Sequence, residues 1–324
     1  MTNEVDIIEN DIVRTDPNLL TTLLKDHTTQ QNIFWATSDY EYLGDGYRYK
    51  DPILPELITG ERGEVIMPRV LKHKTTQNMR SREMAEVFTP SWICNAQNNL
   101  VDNAWFGKEN VFNTETVCSD GTHTWITNPE KITFPEGRTW KDYVRENRLE
   151  ITCGEAPYLV SRYDATTGQP IPIEERIGLL DRKLRIVGEN TQTTGQWLDA
   201  ARDAYRSTYG YEWQGDNLLL AREALLYTFI DYYKYKFGHN PLLRSLSSIA
   251  NIISWNIWQM DGLKGTIPDS CHNEKQKTVF GDEVEVPCYG CRKDDIKNHN
   301  GIYCQIKDWR KNKTLTFVSL LKTE

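Results

Sequence analysis

The second half of the chain alternates short apolar runs with long amphipathic ones, and few folds accommodate that rhythm. Residues 149–152, 209–213 and 256–260 read as short strands. Between them lie helical stretches at 174–187, 196–207 and 217–237, and a further helix that opens at Asn240-Pro241 and runs to about residue 254. In the first of these, Ile177, Leu180, Leu184 and Val187 recur at helical spacing. Strands separated by helices pair in parallel, because the chain must cross back over the sheet before each new strand. The expected class is α/β, a parallel sheet with helices on both faces. Residues 302–306 and 315–320 are later strand candidates.

The first half has a different texture. Thr15-Asp16-Pro17 starts a helix, a cap residue followed by proline at the first helical position, and Leu19, Leu20, Leu23 and Leu24 form its apolar stripe. Residues 30–65 are rich in Tyr, Gly and Pro and read as loops and short strands. A helix is expected over 83–104, interrupted at Thr89-Pro90, and residues 107–140 read as an inserted excursion. The expected division is 1–82, a helical and loop region; 83–265, the α/β core; and 266–324, a cysteine-rich insertion with terminal strands. An aromatic content of 11% argues against disorder. No apolar run approaches the ~20 residues of a membrane helix. The acidic, polar start, Met1-Thr2-Asn3-Glu4, is no signal peptide. A soluble cytoplasmic protein is expected, with no membrane partner.

The net charge of −8 counts only weakly against a nucleic-acid partner, because phosphate binding needs a local basic stripe. One runs through Arg69, Lys72, Lys74, Arg80 and Arg82, with no acid until Glu83. Phosphate contacts are expected there; a solvated helix face is the competing reading.

Seven cysteines are present, four of them after residue 270. An odd number without a secretion signal argues against a disulfide framework. Cys288-Tyr289-Gly290-Cys291 is a CxxC knuckle, and Cys271 and Cys304 on either side can complete a tetrahedral structural zinc shell. His272 and His299 are spare ligands. Ordinary reduced thiols, or a redox pair, remain the alternatives.

In an open parallel sheet, ligands sit beyond the carboxyl ends of the strands. Here the three strand ends carry a Gly turn at Gly154, an acid at Glu212 and a second acid at Asp261. Gly lets backbone approach a ligand closely. One carboxylate can accept from a ribose diol and the other from an adenine amine. The turn has neither the Gly-x-Gly-x-x-Gly spacing nor a Gly-Lys-Ser/Thr phosphate loop. The expected adenosine ligand is therefore S-adenosylmethionine in preference to NAD or ATP.

These motifs resemble those of the adenine-N6 methyltransferase (M) subunits of type I and related restriction–modification systems. Glu86-Val87-Phe88-Thr89-Pro90 resembles the Phe-Thr-Pro segment that precedes their cofactor turn. Cys153-Gly154-Glu155-Ala156-Pro157 resembles the turn itself, with Ala156 at its second Gly and no Asp-Pro ahead of Cys153. Tyr209-Gly210-Tyr211-Glu212 and Ile257-Trp258-Gln259-Met260-Asp261 resemble the next two motifs, and the whole chain resembles short bacterial proteins described as restriction endonuclease subunit M. The match covers roughly 83–265.

The resemblance implies a Rossmann-like methyltransferase sheet in a bacterial or phage-infected cell. It implies that Phe88 and Thr89 touch the methionine end of the cofactor. The backbone around Cys153, Gly154 and Ala156 would face the cofactor, Glu212 would bind the ribose and Asp261 the adenine. DNA and a specificity or nuclease subunit would be partners. The family ends its fourth strand in Asn/Asp-Pro-Pro-aromatic, and this chain has no Pro-Pro. Asp308 and Trp309 are the stand-ins for the catalytic acceptor and the stacking ring. A catalytically degenerate scaffold or DNA-binding relative is the second reading. A nuclease built on Asp164 and Asp181-Arg182-Lys183 is a third.

Overall fold

The structure is a computed structural model that describes residues 5, 7, 9–83, 86–87, 89–277 and 282–321. Three strands, Arg148–Glu150, Thr208–Glu212 and Ile257–Gln259, form a parallel sheet in chain order. Glu150 lies opposite Gly210, and Glu212 opposite Gln259. Each crossover is a pair of helices: Leu179–Asn190 with Thr194–Arg206, then Gly215–Phe237 with Leu243–Asn256. The molecule is a mixed α/β protein with eleven α-helices among the described residues, and its sheets are small.

Local chemistry sets these boundaries. Thr193 and Gln196 exchange side-chain and backbone hydrogen bonds in a capping box that starts the Thr194–Arg206 helix. Gly238, at φ 75°, ends the Gly215–Phe237 helix in a left-handed cap. Asp16 Oδ1 accepts from the Asn18 N–H at 2.8 Å and opens the Pro17–Leu24 helix, whose four leucines are buried. The helix expected from residue 174 begins five residues later: Ile173–Glu175 is a 3-10 turn, Arg176 and Gly178 are extended, and the Leu179 and Leu180 N–H groups donate to the Tyr158 and Leu159 carbonyls.

Gly215–Phe237 is buried on nearly every side, which is why its sequence shows little amphipathic pattern. Its Arg222 is fully buried and gathers loose helix ends. The guanidinium donates to the Leu23 and Lys25 carbonyls after one helix, and to Ser254 and Ile257 at the end of another. Burial lowers its pKa to about 10. Carbonyls that a helix leaves unpaired are thus satisfied without water. One continuous core joins Ile12, Leu20 and Trp35 to Leu218, Phe229 and Ile249. A smaller one holds Tyr211, Trp258, Met260, Ile267, Cys304 and Ile306.

The remaining strands form three antiparallel hairpins: Asn113–Val117 with His123–Thr127, Glu274–Lys277 with Glu283–Val286, and Gln305–Asp308 with Lys313–Thr316. The last one corrects the late-strand expectation. It packs beside the Leu243–Asn256 helix, and Phe317–Leu320 is a 3-10 turn, not strand. Among the described residues no strand pairs with the outer edge of Arg148–Glu150.

Candidate functional site

The turn after the first strand is bent sharply. Thr152, Gly154 and Ala156 all have left-handed backbones, at φ 45°, 52° and 63°. Two of the three carry a Cβ, and each such residue costs on the order of 1–3 kcal/mol. Buried carboxylates hold the turn in place. Glu212 Oε2 accepts from the Gly154 N–H at 2.8 Å. Glu150 accepts from the Tyr158 and Leu159 N–H groups at 3.3 and 3.2 Å. Glu155 accepts from the Arg69 N–H at 2.7 Å and the Tyr163 hydroxyl at 2.6 Å. Burial raises the pKa of all three acids. Glu150 rises to about 8, from burial first, with a smaller push from the Glu212 charge, against the pull of its two amides.

This turn forms one wall of a cavity of about 1080 Å³. Thr152, Cys153 and Gly154 line it, with Glu150 at the end of the first strand and Glu212, Trp213 and Gln214 at the end of the second. Glu86, Val87 and Thr89 close another side, and Gln97, Asn98 and Val101 come from the Ser91–Phe106 helix. The volume suits a nucleoside-sized ligand. The walls offer carboxylates and amides, which bind hydroxyl and amine groups. The Cys153 thiol is buried and raised well above its ordinary pKa, first by burial and then by the Glu150 and Glu212 charges. It is no nucleophile.

The structure thus brings Thr89, Cys153, Gly154 and Glu212 together, and it adds Glu150, Glu86, Gln214 and Asn217. Glu150 lay inside the expected strand 149–152 and becomes a strand-end acid because the strand stops there. Glu86 carried no such signal. Ala156 lies behind the turn, fully buried, and shapes the wall without facing the cavity. Phe88 lies outside the described residues.

Asp261 is not at the cavity. Its Oδ1 accepts from the Leu263 and Lys264 N–H groups at 3.0 and 3.2 Å, and its Oδ2 pairs with the Lys264 ammonium at 3.1 Å. The third strand stops at Gln259, and the chain then folds back through an antiparallel bridge from Asp261 to Thr266. That fold-back spends the carboxylate on its own turn.

Asp308 and Trp309 are also elsewhere. Asp308 caps the turn at Arg310 and Lys311, and Trp309 packs against the core, its indole N–H donating to Asn256 Oδ1 at 2.7 Å. Neither lines the cavity. The hairpin that carries them sits at the end of the Leu243–Asn256 helix, on the side of the third strand.

The basic stretch mostly turns inward. Arg80 is 1% exposed. It pairs with Glu86 at 2.6 Å, Asp39 at 2.7 Å and Asp216 at 2.8 Å, and also donates to Gln214. Lys72 pairs with Asp216 at 3.2 Å, and Arg69 with Glu86 at 3.3 Å. Burial works against the charge on Asp216, but Arg80 and Lys72 hold it well below the usual carboxylate range. Three of the five cations therefore neutralise internal acids. Lys74 and Arg82 alone of the five are exposed. The Asp181-Arg182-Lys183 triplet is structural as well. Asp181 accepts from Ser161, Arg182 pairs with Asp102 at 2.6 Å, and Lys183 donates to the Glu146 and Ser207 carbonyls. All three are buried, and each has different partners.

In the tail, Cys271, Cys288, Cys291 and His299 bring their ligand atoms within 4.8 Å of one another, and the group can hold a metal ion. His299 Nδ1 lies 3.7, 3.6 and 3.6 Å from the three sulfurs. A tetrahedral ion with ~2.3 Å bonds to sulfur and ~2.0 Å to nitrogen sets them roughly 3.6 Å apart. Burial opposes ionisation of Cys288, but the Asn300 and Cys291 amides and the His299 ring bring its pKa down to about 6. Cys304 is not a member. It is buried in the smaller core, its thiol donating to the Gln259 carbonyl at 3.3 Å. His299 takes the fourth place because the Tyr289–Lys293 helix packs against it: a Cβ at Gly290 would meet its ring at 2.7 Å.

No protein-family model matches the chain, and no curated protein or solved structure matches it either. Among the described residues, no helix is long and apolar enough to cross a membrane.

Proposed function

We propose that this chain is an S-adenosylmethionine-binding subunit of the DNA-methyltransferase type, with the cavity at the carboxyl ends of its first two parallel strands as the cofactor pocket. One observation carries the reading. A strained glycine turn, an acid at the next strand end and the segment just before Pro90 meet around a single cavity. A Rossmann-like sheet is the natural frame for such a pocket, with the first strand followed by the turn and the second ending in the acid. Glu212 would accept from the ribose hydroxyls, and the Thr89 side of the cavity would face the methionine end. Acid-lined walls suit a ligand bearing a sulfonium and an ammonium better than a polyphosphate. Bound there, the cofactor supplies a methyl group for in-line attack by an adenine amine; the chain would contribute positioning. DNA and a specificity or nuclease subunit are the partners this reading implies, in a restriction–modification system.

A catalytically degenerate scaffold is the second reading, and a specific observation favours it. Asp308 and Trp309, the stand-ins for the amine-binding motif, lie away from the cavity, and the chain has no Pro-Pro. Under that reading the cofactor binds and DNA is not methylated. For the knuckle we propose zinc, because three thiolates and one imidazole form a closed tetrahedral set with no open position for catalysis.

Isothermal titration with S-adenosylmethionine tests the pocket. Wild type should bind with micromolar affinity, and Glu212→Gln about tenfold more weakly, the loss of one charge-assisted hydrogen bond. A folded sample that takes up no cofactor at millimolar concentration ends the proposal. If the cofactor binds, methyl transfer to adenine-containing DNA, assayed with and without the neighbouring subunits, separates the two readings.

A further inference from the structure

The cavity has a one-sided charge. Its charged wall residues are Arg82, Glu86, Glu150 and Glu212. Glu86 is already neutralised by Arg80 and Arg69. Among the described residues, Glu150 and Glu212 accept only from backbone amides. Arg82 is therefore the single cation on the described walls. It is exposed, and it makes no hydrogen bond or ion pair with any described residue.

Its position is not accidental to the fold. The Lys74–Glu83 helix, KTTQNMRSRE, has almost no apolar surface to dock with, and Arg80 is its one described buried side chain. The helix is held to the body by Arg80, whose guanidinium reaches Asp39, Asp216, Gln214 and Glu86. Gln214 and Glu86 are themselves wall residues of the cavity. Two residues beyond that latch, the helix delivers Arg82 to the cavity wall. A guanidinium without a partner among the described residues, set on an acidic pocket, is arranged for an anionic group on the ligand, since it presents a planar fork of donors.

We infer that Arg82 is a specificity-determining residue that clamps the carboxylate at the tail of the ligand, opposite the end held by Glu212. The assignment rests on the cofactor reading above and names the ligand class more narrowly: an adenosine bearing an amino-acid tail. Adenosine ligands without a carboxylate lose the contact. A diphosphate tail offers two or more negative charges to one guanidinium, and no second cation stands on the described walls to meet the rest.

The test compares two thioether nucleosides that differ in the tail. S-adenosylhomocysteine carries the carboxylate, and methylthioadenosine lacks it. With the full chain in its metal-loaded form, wild type should bind S-adenosylhomocysteine at least tenfold more tightly. Arg82→Met should erase that advantage and leave methylthioadenosine affinity unchanged, and Arg82→Lys should restore part of it. Unaltered unfolding midpoints would show that the exposed substitution leaves the fold intact. Equal loss for both nucleosides, or no loss for either, overturns the assignment while the pocket reading stands. Tighter binding of adenosine diphosphate than of S-adenosylhomocysteine overturns it too, in favour of a phosphate site. If wild type binds neither thioether nucleoside, the pocket reading itself has failed and the assignment falls with it.

Discussion

The strand-end cavity and the cysteine–histidine knuckle are built in opposite ways. The knuckle draws its four ligands from residues 271–299, a single short stretch. The cavity draws its walls from residues as far apart as Ala36 and Asn217. The knuckle has little apolar burial of its own, since its two strands are exposed or half-buried over their described length, and a metal would supply most of what keeps the three thiols together. The cavity is held by buried carboxylates on backbone amides and by one buried arginine. A site assembled locally depends on its ion. One assembled from distant segments depends on the core, and its polar groups must be satisfied by one another.

The largest effect should come from removing the metal. Structural zinc contributes on the order of 10 kcal/mol of folding free energy in small metal-bound units. Chelation, or Cys288→Ser, should open residues 271–299 while leaving the helices around the sheet folded. Hydrogen exchange read peptide by peptide checks this: protection should vanish in the tail and persist in Gly215–Phe237. Loss of protection in both regions would break the comparison by making the knuckle part of the core's support. Metal analysis should return one ion per chain.

Arg80→Met probes the other region. It leaves Asp39, Glu86 and Asp216 facing one another with only Arg69 and Lys72 nearby. Removing one partner from a buried ion network costs about 3–5 kcal/mol. Urea unfolding should show that loss without release of the metal. A cost below about 1 kcal/mol would mean that the network is solvated and the Lys74–Glu83 helix is loosely held.

A smaller effect follows from Glu150. Its pKa stands near 8 in the folded protein, against 4.5 ordinarily. Between those values the folded state holds a proton that the unfolded state has lost, so stability falls as pH rises from about 5 to 8. The group then opposes folding above pH 8 by up to about 5 kcal/mol, less as the cavity admits water. Glu150→Gln should flatten this part of the pH profile, though it gives up one of the two amide bonds. An unchanged slope would place the proton elsewhere, with Glu212 and Glu155 as the next candidates.

Much of this arrangement was legible in the residues. The three strands and four crossover helices lie within about five residues of their expected places, because the helices are long and the strands are the short apolar runs between them. Gly154 and Glu212 were legible as a turn and an acid at strand ends, and both line the cavity. Cys271, Cys288 and Cys291 were legible from clustering. Three assignments were not. Arg80 looks like any other cation in its stretch, and its burial follows from Asp216, 136 residues later. Asp261 sits at the third strand end, as expected, but a local turn consumes it. Cys304 and His299 both follow the knuckle as candidates, and only the packing separates them: Gly290 lies against the His299 ring, and Cys304 is buried in the smaller core.

By itself, then, the sequence determined the alternation of strands and helices, the strand-end turn and the thiol cluster, because each of those is built from residues close together in the chain. The tertiary structure alone decided which charges turn inward, which fourth ligand closes the knuckle, and that the Asp308–Trp309 hairpin packs on the third strand's side and not beside Arg148–Glu150. Those choices are made by contacts between segments far apart in the chain, and a buried charge commits to a partner only once the fold has removed the water that would otherwise satisfy it.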